Sequence, residues 1–216
     1  MPGTLDAPAL AHAAPKTHRR LGITLAAILL AGVTFVILAA LPYLALDQNQ
    51  FQGYWPRRWW LLTHVVTGMV ALLSGPVQLW LGLTDARPAL HRRLGMTYMV
   101  SVSVSAATAY YLAFNTDNGL AFGAGLAGLA TAWIITTGMA FVAIRKHLYD
   151  QHKEWMIRSY VVTTAFVTFR LIFPILQATG AGAVTEQLAV ASWVCWAVPL
   201  LVTEALLQGR KILASS

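Results

Sequence analysis

The densest chemistry in the chain sits in two short blocks, HRRLGMTY at His91–Tyr98 and HKEWMIRSY at His152–Tyr160. Each joins an imidazole, which binds metals and titrates near neutral pH, to guanidinium groups that hold phosphates or carboxylates. A third block, HRRLGITL at His18–Leu25, repeats the first five letters of the block at His91. His91, His147 and His152 fall at one end of their helices, where neutral imidazoles with Glu154 could hold a divalent metal. Two of them could instead ligate a haem. Arg92, Arg93 and Arg158, at helix N-termini that already favour negative charge, could hold a phosphate or carboxylate. Arg158 could also pair with Glu204, or with Glu154 four residues before it on the same helix face.

A second set of polar residues lies inside apolar runs. His64, Gly68, Ala71, Gly75, Gln78 and Gly82 share one line of a helix, polar at both ends and small between. A matching line further on holds Ser159, Thr163, Arg170, Pro174 and Gln177. Ionisable groups within a membrane span are costly and face the bundle interior or a wet cavity. His64 and Arg170, at similar depth, therefore stand as candidates for a ligand or cofactor site. The counter-charge of Arg170 is expected from Asp47, Asp117 or Glu186, from carbonyls freed near Pro174, or from a bound anion. A glycine-bearing face beside a histidine also suits a flat macrocycle, so haem b with His64, His91 or His152 as an axial ligand is an alternative. At His64 the second ligand would have to be unusual, such as Met69 or Met139. No nucleophile–base–acid constellation suggests a hydrolase, and no phosphate loop suggests an ATPase.

The elements that position these residues are membrane helices. Of 216 residues, 57% are apolar and only 11% charged, against about 25% charged in a soluble domain. The net charge of +7 lies between apolar runs of roughly 20 residues, the length that crosses a bilayer, so it reads as membrane orientation and not as a nucleic-acid surface. Six spans are expected, at Leu21–Ala45, Trp60–Gly82, Leu94–Asn115, Leu120–Ile144, Ile157–Ala178 and Glu186–Leu207, forming one all-α bundle. The apolar run after His18-Arg19-Arg20 is too long for a signal-peptide core. Met1–Thr17 reads as a flexible tail, 18–211 as the transmembrane domain and 212–216 as a second short tail.

Twelve of the 15 Lys and Arg fall on one side of these spans, and only Arg57 and Arg58 on the other. That asymmetry predicts both termini in the cytoplasm, with the basic blocks against anionic lipid headgroups. Tyr43, Tyr54, Trp55, Trp59, Trp60, Tyr110 and Tyr111 form an outer aromatic belt. Small residues of the fourth span (Gly119, Gly123, Gly125, Gly128) favour close helix packing within the bundle. Pro76, Pro174 and Pro199 are expected to bend their helices. Cys195 is the sole cysteine, which excludes an intrachain disulfide.

The order His64, Gly75-Pro76-x-Gln78, His91-Arg92-x-x-Gly95-x-x-Tyr98, His152-x-x-Trp155-Met156-x-Arg158-Ser159-Tyr160 and Arg170 resembles bacterial predicted membrane proteins of domain-of-unknown-function family 2306. The resemblance runs from about Trp60 to Arg170. It implies a multi-pass protein of the bacterial inner membrane and groups His64, Gln78, His91, Arg92, His152, Trp155, Arg158 and Arg170. It brings no substrate, reaction or cofactor. A looser likeness to cytochrome b561-type haem proteins fails on their two pairs of depth-matched histidines. The expected function is binding of a small ligand or cofactor in a polar bundle interior. A b-type haem redox protein and a small transporter or assembly factor are the alternatives.

Overall fold

Helix dominates the described residues because the long apolar runs must satisfy their backbone groups internally. The computed structural model describes residues 15–84 and 87–214, and no strand occurs among them. The leading tail lies outside these residues except for its last three, which belong to a helix. The helices are α1 (Pro15–Phe35), α2 (Gln48–Phe51), α3 (Arg58–Leu83), α4 (Pro88–Phe114), α5 (Leu120–Arg145), α6 (Tyr149–Thr163), α7 (Ala165–Thr179) and α8 (Val184–Ala214). Helix covers the core of all six expected stretches.

Local sequence sets the boundaries. Pro42 cannot donate to the helical ladder and crowds the carbonyl four residues before it. Ahead of it α1 loosens into a π-helical turn, Val36–Ala40, and then tightens into a 3-10 turn, Leu41–Ala45. The Asp47 carboxylate caps α2 by accepting from the Asn49 N–H. Pro88 stands in the first turn of α4, where a missing N–H costs nothing. Gly180, at φ 63°, closes α7 in the left-handed conformation.

The expected fifth span is two helices, α6 and α7, bent by 41°. The break falls at Thr164, ten residues before Pro174. Thr163 turns its hydroxyl back on the Ser159 carbonyl, and Thr164 does the same to Val161. Such back-bonding by adjacent threonines competes with the ladder and bends helices. By contrast α3 and α8 each continue as one helix through Pro76 and Pro199.

Four helical segments are long and apolar enough to cross a membrane: Arg19–Ala45, Gln48–Leu83, Leu120–Arg145 and Val184–Ala214. The α6–α7 pair makes a fifth. The equally long α4 is not among them, because Ser101, Ser103, Ser105, Thr108 and its tyrosines dilute its apolar character. It compensates by position. The helices α3, α4, α5 and α6 close a ring, each packed on the next and α6 back on α3, with α1 outside against α3 and α8 outside against α5, α6 and α7. Tyr98, Val102 and Ala106 of α4 are buried in the core with Ala71, Trp133 and Tyr160. Large apolar side chains face outward instead, Leu30 at 68% exposure, Leu38 at 73% and Leu201 at 69%. Surfaces of that kind belong in lipid.

Candidate functional site

Two cavities occupy opposite ends of this ring. The first, about 320 Å³, lies at the α2 end and is lined mainly by aliphatic and aromatic side chains of α1, α3, α5 and α7. His64 and Arg170 both line it, so the two depth-matched residues do share a site. The expected polar interior is here an apolar one with two strong polar groups.

His64 is held in a defined state by α4. Its Nδ1–H donates to the Ser105 carbonyl at 2.9 Å, and the Ser105 hydroxyl donates to the His64 carbonyl at 3.2 Å. A neutral imidazole fixed in this way keeps its proton on Nδ1 and its lone pair on Nε2. The Phe166 ring stands edge-on, 5.9 Å away between centroids.

None of the expected acids reaches Arg170. Asp47 caps α2, Asp117 pairs with Arg57 at 3.1 Å, and Glu186 accepts from the Ala183 N–H at 2.8 Å. Among the described residues no carboxylate lies within 4 Å of the guanidinium, which stands 6.0 Å from the Phe35 ring centroid. Along the expected line on this helix, Ser159 stays in the core, Thr163 bonds to Tyr98 and Trp133 and also borders the cavity, and Arg170 lines the cavity from α7, past the 41° bend.

Beyond Gly68, which lines the first cavity, the glycine face of α3 is not open to a macrocycle. The Tyr160 ring fills the space above Gly75, and the His91 ring fills that above Gly82, where a Cβ would come within 2.9 Å of Cε1. Tyr160 secures its place by donating to the Leu72 carbonyl. These glycines are notches for the protein's own side chains. Among the described residues His64 is also the only imidazole on the first cavity, so the set present there does not fit a bis-histidine haem.

The second cavity, about 280 Å³, lies at the opposite end, between the C-terminal ends of α3 and α5 and the N-terminal ends of α4 and α6. Gln78, His91 and His152 line it together. The imidazoles of His91 and His152 stand edge to face with 6.5 Å between ring centroids. His152 donates its Nδ1–H to the Ala140 carbonyl at 2.8 Å. Gln78 is 5% exposed and donates to the His91 carbonyl at 2.8 Å; its Oε1 is buried with no hydrogen-bond partner. His147 does not join the pair, standing at the surface against Tyr149. Among the described residues no three His, Cys, Asp or Glu side chains come together as a metal site.

The remaining basic residues divide. Arg158 is buried and spoken for: its Nε donates to Glu204 at 2.6 Å, its Nη1 is 3.5 Å from Glu154, and its guanidinium stacks 4.7 Å over Trp155. Lys211 closes the network on Glu154 at 2.8 Å. Of the two expected couples, the contact to α8 is the shorter. Arg158 therefore locks α6 to α8 and is not available to an anion. Arg92 is exposed and lines neither cavity.

One buried feature escapes the sequence pattern. The Tyr98 hydroxyl meets Ser159 at 2.8 Å and Thr163 at 2.7 Å, Thr137 meets Ser159 at 2.7 Å, and Trp133 Nε1–H donates to Thr163 at 2.9 Å. This network ties α4, α5 and α6 together at the point where α6 breaks. The serine, threonine and tyrosine positions were visible as polar letters, but nothing in their spacing paired them.

The profile described as predicted membrane protein (DUF2306) matches residues 61–207, about two thirds of the chain. The chain belongs to this family. The match extends the resemblance seen in the sequence through α8 and contains His64, Gln78, His91, His152, Arg158 and Arg170. It does not include α1 or the turns that follow it, which supply Phe35, Val36, Ala39, Ala40 and Tyr43 to the first cavity's wall. No curated protein and no solved structure matched the chain.

Proposed function

We propose that this membrane protein binds a small lipid-soluble molecule in the first cavity, its polar head between His64 and Arg170. The observation that carries the reading is the pairing of a tautomer-fixed imidazole with a guanidinium that has no carboxylate partner, in an otherwise apolar cavity. Irregular backbone on two sides supports it. The π-helical turn Val36–Ala40 and the α6–α7 break both border this cavity, and within a membrane such backbone is tolerated where it lines one. A carbonyl or carboxylate would accept from Arg170, and a hydroxyl would donate to His64 Nε2. In this reading the six helical units all cross a bacterial inner membrane, both termini are cytoplasmic, and the cavity opens toward the outer leaflet.

The test is extraction and mass spectrometry of small molecules that copurify with the protein in mild detergent. A lipid-soluble compound retained by the wild type should be lost when Ala39→Trp fills the cavity, and should weaken at least tenfold in Arg170→Gln and His64→Leu. Equal retention by all four proteins, or no compound on any of them, would remove the proposal. An absorption spectrum of the same samples would reveal a haem if one is carried.

A further inference from the structure

The second cavity is a built site with no described acid on its walls. Two long helices begin at it: Pro88 of α4 and Tyr149 of α6 both line it. The residues before them, Arg87 and Leu148, make no side-chain cap. The first-turn N–H groups of α6 carry the positive end of its dipole. Lys153, also on the wall, has no carboxylate within 4 Å among the described residues. Asp150 stands in the first turn of α6 but does not line the cavity, so a bare divalent cation between His91 and His152 would have no carboxylate on the wall to hold it. An anion needs none.

An anion alone does not complete the cavity, because its walls also present a buried acceptor. Gln78 Oε1 is buried without a donor, a condition that costs about 1–3 kcal/mol. His152 Nε2 is a second hydrogen-bonding atom, its Nδ1–H being committed to Ala140, and a hydroxyl can meet it as donor or acceptor. The Gln78 amide cannot simply turn over, because its N–H donates to the His91 carbonyl. The complementary ligand has a negative phosphate for Lys153 and the α6 N-terminus, and hydroxyl groups for Gln78 and His152. We propose that this cavity binds the headgroup of a hydroxyl-bearing anionic phospholipid, with phosphatidylglycerol as the simplest example. A free polyol phosphate shares that chemistry. A zwitterionic ethanolamine headgroup would bring no net negative charge to Lys153 and the α6 N-terminus, its ammonium cancelling its phosphate.

The test uses delipidated full-length protein in detergent and native mass spectrometry with short-chain lipids of equal chain length. Phosphatidylglycerol should bind at least tenfold tighter than phosphatidylethanolamine. Gln78→Met, which keeps the volume, should lower phosphatidylglycerol binding about tenfold and leave phosphatidic acid, which has no diol, unchanged. Lys153→Ala should weaken both. Glycerol phosphate competing at the concentration of the lipid would assign the site to a soluble phosphate; failure to compete would assign it to the membrane. Wild-type protein that does not distinguish the headgroups, or variants that bind phosphatidylglycerol as the wild type does, would overturn the proposal. Neither outcome touches the first cavity, which shares no residue with this one.

Discussion

At the scale of single residues, Gly75 and Gly82 serve as notches for the chain's own side chains. Tyr160 occupies the notch at Gly75, so Gly75→Ala should push the ring from its place and cost about 1–3 kcal/mol, the usual cost of overpacking. Thermal unfolding in detergent would show the loss, and Gly138→Ala, which meets nothing nearby, should be close to neutral. Arg158 makes a second residue-level case. Glu204 and Glu154 each remain if the other is removed, so Glu204→Gln should cost only about 1 kcal/mol, in the range of partly exposed pairs. The double variant Glu154→Gln/Glu204→Gln should cost more than the two singles together, because it leaves a buried guanidinium without an acid. Additive losses would mean that the acids do not substitute for one another.

The elements depend on polar contacts between helices that a soluble core would replace by apolar burial. In a bilayer, apolar side chains gain little by leaving lipid, so close packing and hydrogen bonds between helices carry more of the association. Ser159 and Thr163 meet Tyr98 at the top of α6, where the ladder turns into α7. Tyr98→Phe is therefore expected to cost about 0.6–1.7 kcal/mol, the span measured for membrane hydrogen bonds. A double-mutant cycle with Thr163→Val should show positive coupling, because the two hydroxyls bond each other, while the loss of the Trp133 Nε1–H acceptor is common to both Thr163→Val proteins and cancels in the cycle. Independent effects in that cycle would place the two hydroxyls in separate roles. The sequence showed a helix through this region and three polar letters on it. It did not show the break, because back-bonding by two threonines is one of several conformations open to that pair.

For the whole molecule, the ring of α3 to α6 sets two cavities of different character at its two ends. One is apolar with an unpaired guanidinium, the other small and basic with a buried acceptor. Their separation gives the protein a distinct environment at each end of the bundle. The orientation is checked by thiol labelling in a Cys195→Ala background, Cys195 being buried at 1% exposure. Cysteines at Arg87 and Gly209 should be labelled only from the cytoplasm, and cysteines at Gln50 and Asp117 only from the other face. Labelling of Arg87 and Gly209 from opposite faces would break the topology of six crossings.

What the sequence determined by itself was set by composition and spacing: a membrane class, helices at six places, and His64 and Arg170 at similar depth facing a bundle interior. These follow from periodicity and from the cost of burying charge, which act locally along the chain. The tertiary structure decided the partners. It showed that the glycine face of α3 is filled at Gly75 and Gly82 by Tyr160 and His91, that Arg158 belongs to Glu204 before Glu154, that His147 stands apart, and that Arg170 has no acid. Such pairings depend on which helix stands opposite which, at what rotation and past what bend, and no local spacing encodes those quantities.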